Sequence, residues 1–327
     1  MIRQMLKTFY IILLSTVLLG SPAQSALPAI AAKTTTLPLS TLSLQEKLKL
    51  LELKQTHKTD HFIFDLPITY NKKVSQWISY FQSQGKTFFR DWLEKSTKYM
   101  PLLQSELKKA GLPTDLAYMV MIESGFSAHA VSTASAVGPW QFIESTATTY
   151  GLKKYWWLDE RRDLRKSTQA AIRYLQDLNR EFGSWYLVAA SYNMGENGLR
   201  RQIKKYGTND YWELVKKGAL PQETQDYVPK ILAALMIAKA PNLYGFRGID
   251  AQYPLQYETV WAPSGSDMDQ LADHLGITRK AMKDLNAELV LGYVPKEVSG
   301  HHIRIPLGSL SAARQFFSDH NKKLALD

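Results

Sequence analysis

A single carboxylate, Glu123, follows an uncharged segment in which residues 116–121 read LAYMVM and residue 122 is Ile. Leu116, Met119 and Glu123 are spaced so that one helix would place them on the same face. Burial and the negative end of the helix dipole both disfavour a charged carboxylate, so the pKa of Glu123 is expected to rise. A glutamate that stays protonated near neutral pH can serve as a general acid.

The alternative for Glu123 is a solvated side chain at a frayed helix end, because most glutamates face water. The segments around it favour chemistry instead. Residues 126–141 are short on charge and rich in Ser, Ala and Gly, and the segments SYNMG and ETQDYVPK follow at 191–195 and 223–230. Their Ser, Asn, Gln, Tyr and Trp side chains are of the types that hydrogen-bond to sugars or stack on them.

Seven sequence blocks occur in a family order: ESGF, AVS, AVGPWQF, TATTYGL, DERRDLRKST, AASYNMGENG and ETQDYVPK. Over residues 98–245 the chain therefore resembles the soluble lytic transglycosylase domain, glycoside hydrolase family 23, and in particular its membrane-bound branch. The resemblance implies a lysozyme-like α-helical fold. It also implies cleavage of the β-1,4 bond between N-acetylmuramic acid and N-acetylglucosamine in peptidoglycan, forming 1,6-anhydromuramoyl products.

The resemblance also assigns roles to individual positions. Glu123 matches the single catalytic residue, acting as acid and then as base. The positions that match substrate-binding residues are Ser132, Gln141, Tyr192, Asn193 and Tyr227. The chain departs from the usual family residues at Pro139, Glu144 and Leu164, none of which is a carried-over catalytic position.

In the family mechanism the 2-acetamido oxygen of the substrate replaces the second carboxyl group that ordinary glycosidases use. Hydrogen bonds from Tyr227 and Ser132 are expected to orient the carboxyl of Glu123. By sequence, Glu144 and Asp163 are the nearest other acidic candidates. Two alternatives stay open: a hydrolysing muramidase of lysozyme type, and a non-catalytic peptidoglycan-binding protein.

Several of these residues have structural alternatives. Trp140 and Tyr192 could be core aromatics, and Ser132 could be a turn or cap residue. The acidic–basic cluster at residues 159–163 is expected to form a structural ion network. No histidine spacing suits a metal, so we predict neither a metal site nor a cofactor.

Composition and the N-terminus indicate an exported protein. The 327 residues carry a net charge of +10 and no cysteine, which favours an anionic partner and excludes a disulfide framework. Residues 1–25 have the basic start, apolar run and small-residue cleavage site of a signal peptide. We expect a periplasmic or cell-envelope protein that binds peptidoglycan strands and no nucleic acid. Peripheral association with the membrane or the wall is a further expectation.

Five further segments follow the signal peptide in the predicted organisation. They are a linker at 26–42, a helical N-terminal extension at 43–97, the catalytic domain at 98–245, a small module at 250–308 and a tail at 309–327. Apolar spacing predicts helices that include Leu44 to Lys54, and a helical stretch from Lys73 that breaks near Gly85 and Pro101. Thr114 and Ser167 are predicted helix caps.

The small module is predicted to be α+β, in contrast to the mainly α remainder of the chain. Its expected order is a strand near residues 257–261, two helices, and a strand near 302–306. The segments YETV, ADHLGI, MKDLN and IRIP resemble a LysM module, which implies binding to glycans that contain N-acetylglucosamine. The alternative is a packing or linker role.

Overall fold

Helices account for most of the first two hundred residues that the structure describes. This computed structural model describes residues 64–324, with side chains as far as residue 319. The helices before the module are α1 (Lys72–Gln82), α2 (Lys86–Lys109), α3 (Tyr118–Ser124), α4 (Glu144–Thr149), α5 (Leu164–Phe182), α6 (Trp185–Met194), α7 (Glu196–Tyr206), α8 (Tyr211–Lys216) and α9 (Gln222–Lys239). The predicted signal peptide, the linker at 26–42 and the predicted helix Leu44 to Lys54 lie outside the described residues.

The central helix of this region is α9. Every residue from Tyr227 to Ile237 except Lys230 is buried, which is expected for a helix that is apolar around most of its circumference. It packs against α1, α3 and α6. Because α3 and α9 are in contact, residues about a hundred positions apart in sequence can meet at the end of α3.

Helices α1 and α2 are separated at Gly85, as predicted, but α2 continues through Pro101. The prediction of a break at Pro101 was wrong. Proline removes one backbone hydrogen bond, yet the buried side chains of Met100, Leu103 and Leu107 hold the helix against its neighbours on either side of that position. The predicted domain boundary at 97/98 therefore falls inside a continuous helix.

Two predicted helix caps are also corrected. The turn at Thr114–Ala117 that leads into α3 is capped from a distance, by the carboxylate of Asp65, which accepts from the backbone N–H of Thr114 at 2.6 Å and of Asp115 at 2.9 Å. Helix α5 begins at Leu164, and its cap is Asp163, which accepts from the N–H of Lys166. Ser167 lies inside the helix and bonds back to the carbonyl of Asp163 at 2.6 Å.

The C-terminal module has the predicted order of elements. They are β1 (Glu258–Pro263), α10 (Met268–His274), α11 (Arg279–Leu285) and β2 (Gly300–Ile305), and the two strands pair antiparallel. Thr278 caps α11, as expected from the sequence. The segment expected to be a tail instead forms α12 (Leu310–Leu324), whose Ala313 and Phe317 enter the module's core.

The module is fastened to the rest of the described chain at several points. Trp157 and Leu158, which precede α5, belong to the apolar core of the module. The buried guanidinium of Arg304 on β2 pairs with Asp163 at 2.6 Å. The segment at 252–257, which connects the helical region to β1, is hydrogen-bonded to α2, since the N–H of Leu255 donates to the carbonyl of Lys98 at 2.9 Å.

The mainly α fold class with a small α+β module is thus confirmed for residues 64–324. Among these described helices, none combines the length and the apolar character that crossing a bilayer would need.

Candidate active site

Glu123 lies in the last turn of α3, one residue before the helix ends. Gly125 ends it with a φ of 56°, and its N–H donates to the carbonyl of Met121 at 3.0 Å. A Cβ at position 125 would lie 2.1 Å from Nε1 of Trp92. Glycine is therefore required twice, by the left-handed backbone and by the close indole, and the end of α3 is fixed beside α2.

The carboxyl group of Glu123 is poorly solvated. The residue is half-buried, and burial raises its pKa from 4.5 to about 7. Three neighbours act on that value: a hydrogen bond from Tyr227 lowers the pKa, the charge of Glu223 raises it, and the charge of Lys230 lowers it. Near pH 7, then, Glu123 can both hold a proton and give it up, which is the requirement for an acid that later becomes a base.

Tyr227 on α9 is the hydrogen-bond partner of Glu123. Its hydroxyl donates to Oε1 of Glu123 at 2.5 Å. Burial and the nearby carboxylate raise the pKa of Tyr227 well above its ordinary value, so the phenol stays a donor throughout the physiological range. Oε2 of Glu123 accepts no hydrogen bond from any described residue, which leaves that oxygen available to a substrate.

The loop that follows Glu123 is held by its own polar side chains. Oγ of Ser132 accepts from the N–H of Ala136 at 3.1 Å. The amide of Gln141 donates to the carbonyl of Gly138 at 2.8 Å, and the backbone of Gln141 has a φ of 50°. Contrary to expectation, Ser132 does not hydrogen-bond to Glu123 within the described residues. Both side chains brace the loop in the structure, and a role in binding substrate stays a prediction.

Trp140 is a core residue, the structural alternative considered for it. It is fully buried and its Nε1 donates to Oγ1 of Thr168 at 2.8 Å. The hydroxyl of Tyr192 donates to the backbone carbonyl of Trp140 at 2.7 Å. Burial and the charge of Glu123 raise the pKa of Tyr192 well above its ordinary value.

Asn193 connects α6 to the start of α9. Its Oδ1 accepts from Oγ1 of Thr224 at 2.7 Å, and its Nδ2 donates to Oε1 of Glu223 at 3.4 Å. Glu223 is exposed and received no role from the sequence. A signal was present, because Glu223 and Tyr227 are four residues apart on one helix and so share a face. Lys230, three residues after Tyr227, was missed in the same way, and its Nζ lies 4.5 Å from the centroid of the Trp77 ring.

The acidic–basic cluster forms the expected ion network and supports the loop. Arg161 makes two hydrogen bonds to the carboxylate of Asp159, at 2.9 and 2.7 Å. It also donates to the carbonyls of Ser135 and Phe142, each at 3.3 Å. The backbone of the loop also approaches residue 161 closely at Gly138. Its φ is 82°, and a Cβ there would lie 2.0 Å from the backbone carbonyl oxygen of Arg161, so only glycine fits.

The two other acidic candidates are committed elsewhere. Glu144 is exposed and pairs with Lys154 at 2.5 Å, and Asp163 is buried against Arg304. Glu123 is hydrogen-bonded to Tyr227, and Asn193 is hydrogen-bonded to Glu223 and Thr224. Both sets of contacts lie along α9, against which α3 and α6 each pack. In the part of the chain that the structure describes, no group of three or more His, Asp or Glu side chains could hold a metal ion.

Comparisons with known proteins match this region. Residues 101–215 match the family described as Transglycosylase SLT domain. The chain is 37% identical over 209 residues to the membrane-bound lytic murein transglycosylase D of Escherichia coli K12, an overlap of 62% of this chain and 45% of that protein. It thus spans less than half the length of that relative.

Two further similarities are more distant. A putative tributyltin chloride resistance protein of Alteromonas sp. strain M-1 is 35% identical over 115 residues, which is 34% of this chain and 56% of that protein. The solved 70 kDa soluble lytic transglycosylase of Escherichia coli superposes with a TM-score of 0.38 and 20% identity, covering 52% of this chain and 31% of that one.

Proposed function

We propose that the chain is a lytic transglycosylase that cleaves peptidoglycan strands without water, because residues 101–215 match the family described as Transglycosylase SLT domain. The observation that carries the proposal is Glu123, whose carboxyl is half-buried, has a pKa of about 7 and receives a hydrogen bond from Tyr227.

In the first step, protonated Glu123 donates its proton to the O4 leaving group of N-acetylglucosamine. The bond between that oxygen and C1 of N-acetylmuramic acid breaks while the acetamido oxygen of the same muramic acid attacks C1. The sugar thereby supplies the nucleophile that a second carboxylate would otherwise provide. The hydrogen bond to Oε1 fixes the carboxyl and leaves Oε2 to face the substrate.

In the second step, the now ionised Glu123 takes the proton of the C6 hydroxyl of the muramic acid. The hydroxyl oxygen attacks C1, the bond to the acetamido oxygen breaks, and the 1,6-anhydro ring forms. Glu123 is again protonated, so the cycle closes without a net proton change. A pKa near 7 suits both steps, because the protonated and ionised forms of Glu123 are then both accessible near neutral pH.

A hydrolysing muramidase is the second candidate, and Glu223 is the observation that favours it. The charge of Glu223 raises the pKa of Glu123, and the exposed carboxylate of Glu223 is of the type that activates a water molecule as a general base. Products decide between the two reactions. Digestion of purified peptidoglycan in water enriched in a heavy oxygen isotope should release muropeptides lighter by one water and free of the label. Labelled reducing ends would establish hydrolysis instead.

Substitution of Glu123 tests the assignment of the residue. Glu123→Gln keeps the size and hydrogen-bonding capacity of the side chain but removes the transferable proton. We expect release of anhydro-muropeptides to fall by about a thousandfold or more, with glycan binding retained. Glu144→Gln removes an exposed carboxylate paired with Lys154 and is the matched control.

Residual turnover of Glu123→Gln within about tenfold of the unsubstituted protein would show that Glu123 is not the catalytic acid. Binding without any cleavage by the unsubstituted protein would favour a non-catalytic wall-binding protein.

The C-terminal module is proposed to bind the glycan of the wall. Support comes from its strand–helix–helix–strand order and from the exposed side chains of Val290, Leu291 and Tyr293 beside the β1–α10 connection. The module shares its core with Trp157, so the test uses the full chain. In a Glu123→Gln background, Tyr293→Ser should weaken co-sedimentation with peptidoglycan. Equal co-sedimentation with and without Tyr293→Ser would leave the module a packing role.

Export to the periplasm is proposed from residues 1–25, and the comparison with a membrane-bound murein transglycosylase fits it. Fractionation of cells that express the full chain should place it outside the cytoplasm. Retention of the full-length protein in the cytoplasm would overturn this part of the proposal.

A further inference from the structure

A cleft of about 460 Å³ lies between α2, the loop after Glu123, the connecting segment at 252–257 and the module. This volume is in the range of sites that hold small ligands. Its walls include Lys98, Phe126, Arg162 and Tyr257. The cleft is separate from the Glu123–Tyr227 pair, and none of the substrate-binding positions carried over by resemblance lines it.

Two cations of the cleft are left without a carboxylate. Within the described residues, neither Lys98 nor Arg162 forms an ion pair, whereas Arg165 pairs with Glu106 and Arg304 pairs with Asp163. The Nε–H of Arg162 is buried and donates to no acceptor in the described part of the chain. Its only hydrogen bond there runs from Nη1 to the carbonyl of Ala128 and is long, at 3.4 Å. A guanidinium in such surroundings is incomplete without an acceptor from outside.

The acidic side chains of the cleft do not supply that acceptor. Asp163 accepts from Arg304 at 2.6 Å and from the N–H of Lys166 at 2.9 Å. Asp284 pairs with Lys280 and with His129. Both carboxylates are therefore compensated, and the cleft keeps an excess of positive charge.

The cleft is also lined by four aromatic rings, those of Tyr99, Phe126, Tyr253 and Tyr257, together with aliphatic side chains. The rings of Tyr99 and Phe126 stack with centroids 6.0 Å apart and an interplanar angle of 17°. The hydroxyl of Tyr257 accepts from Nε of Arg165 at 3.0 Å, which holds a third ring in place. Uncompensated cations next to an aromatic wall suit an anion with an apolar body better than a small inorganic anion.

We propose that this cleft binds the carboxylates of an acidic peptide, namely the peptide stem that peptidoglycan carries on its muramic acid. The choice of stem rests on the proposed function. The cleft is built from the segment that holds the catalytic residue: Phe126 and Pro139 line it, and Oγ of Ser124 donates to the carbonyl of Pro139 at 2.8 Å. A stem seated in the cleft would therefore bear on the loop beside Glu123.

Calorimetry on the full chain tests the proposal without any turnover. The probe is the stem tripeptide L-alanyl-γ-D-glutamyl-meso-diaminopimelate, compared with its counterpart whose carboxylates are amidated. We expect the acidic form to bind at least tenfold more tightly. Arg162→Gln should weaken that binding about tenfold, and Lys98→Gln should weaken it several-fold, because each removes a charge-assisted hydrogen bond.

Arg200→Gln is the matched control, because it makes the same charge change on α7 at a side chain paired with Glu181. It should leave tripeptide affinity unchanged, as should Glu123→Gln. Lys98→Gln lies on the surface of α2 and keeps the test decisive if Arg162→Gln unfolds. Equal binding of the acidic and amidated peptides would overturn the proposal, as would unchanged affinity in Lys98→Gln. Displacement of the peptide by an equal concentration of inorganic phosphate would reduce the cleft to a general anion site and overturn the assignment to a peptide.

Tripeptide binding and the catalytic role of Glu123 are measured separately, so that failure of one is distinguishable from failure of the other. If Glu123→Gln abolishes cleavage but the protein does not bind the tripeptide, the proposed function stands and the peptide-binding role of the cleft is overturned. If the protein binds the tripeptide and Glu123→Gln still cleaves peptidoglycan at the full rate, the cleft proposal stands and the catalytic role of Glu123 is overturned.

Discussion

The raised pKa of Glu123 makes the free energy of unfolding depend on pH. The unfolded chain ionises this residue near 4.5 and the folded chain near 7, so the folded state binds more protons between those values. Stability contributed by Glu123 is thus full below pH 4.5 and is lost as the pH rises to 7. At about 1.4 kcal/mol per pKa unit, the loss is about 3 kcal/mol.

Glu123→Gln should therefore be more stable than the unsubstituted protein at pH 8, by up to about 3 kcal/mol, and equal to it near pH 4. Urea unfolding of both proteins at the two pH values measures the difference. A substitution that is equally destabilising at pH 4 and pH 8 would contradict the raised pKa.

Tyr227→Phe should move the alkaline limb of the rate profile. The hydrogen bond from Tyr227 lowers the pKa of Glu123, so its removal raises that pKa and keeps the acid protonated to higher pH. We expect the fall in kcat/KM to begin at higher pH, with the maximum reduced about tenfold because the carboxyl is less well oriented.

The control for this profile is Tyr192→Phe. The hydroxyl of Tyr192 donates to the carbonyl of Trp140 and not to Glu123, so the position of the alkaline limb should not change. Identical limbs in Tyr227→Phe and the unsubstituted protein would show that the bond to Oε1 does not set the pKa.

Sequence predicts the location of Glu123 better than it predicts its contacts. The spacing of Leu116, Met119 and Glu123 is local, and it indicated a carboxyl on an apolar helical segment. Met119 and Glu123 do lie on α3, whereas Leu116 lies in the turn that precedes it. The contact with Tyr227 spans 104 positions and became an expectation only through family resemblance. The charge effect of Glu223 depends on how α9 packs against α3, which no local pattern specifies.

At the scale of the elements, caps and breaks were the least predictable features. Asp65 caps the turn before α3 from about 50 residues away, and Pro101 is carried through α2 by the packing of that helix. Rules for caps and prolines describe a helix in isolation, whereas tertiary contacts decide these two cases.

Gly138→Ala should be far more costly than Gly183→Ala. Both glycines have a positive φ, 82° and 65°, but a Cβ at 138 would lie 2.0 Å from the carbonyl oxygen of Arg161, while nothing lies within 4 Å at 183. We expect a loss of about 1 kcal/mol for Gly183→Ala from the backbone alone. Gly138→Ala should lose at least about 2 kcal/mol more, because the contact between the site loop and residues 159–162 must open.

Urea unfolding gives both losses, and a digest of peptidoglycan shows whether the site loop still functions. Similar losses for the two variants would mean that the close approach at Gly138 is not a constraint on the fold.

At the scale of the described molecule, the helical region and the C-terminal module share a core. Trp157 is 6% exposed and packs into the module, whereas the adjacent Trp156 is 63% exposed. The domain division predicted at residues 245–250 separates neighbouring stretches of the sequence. In the structure, Trp157 and Leu158, which precede that division by about 90 residues, pack into the core of the C-terminal module. A domain boundary drawn from composition alone does not reveal which residues of one segment pack into the core of another.

Trp157→Ala should lower the free energy of unfolding by about 3–5 kcal/mol, since it empties a large volume of the shared core. Trp156→Ala is the matched control and should change it by less than about 0.5 kcal/mol. Urea unfolding followed by fluorescence and circular dichroism compares them. Equal effects of the two substitutions would show that the module is not anchored through Trp157.

The most direct test of the account is the pKa of Glu123 itself in the free, full chain. Carbon-13 NMR of labelled glutamate carboxyls, with the Glu123 resonance assigned by its absence in Glu123→Gln, follows that group as the pH is changed. We predict a midpoint of about 7 for the titration of Glu123. A midpoint at or below the ordinary value of 4.5 would contradict it, because the carboxyl could not then hold the proton that the leaving group requires.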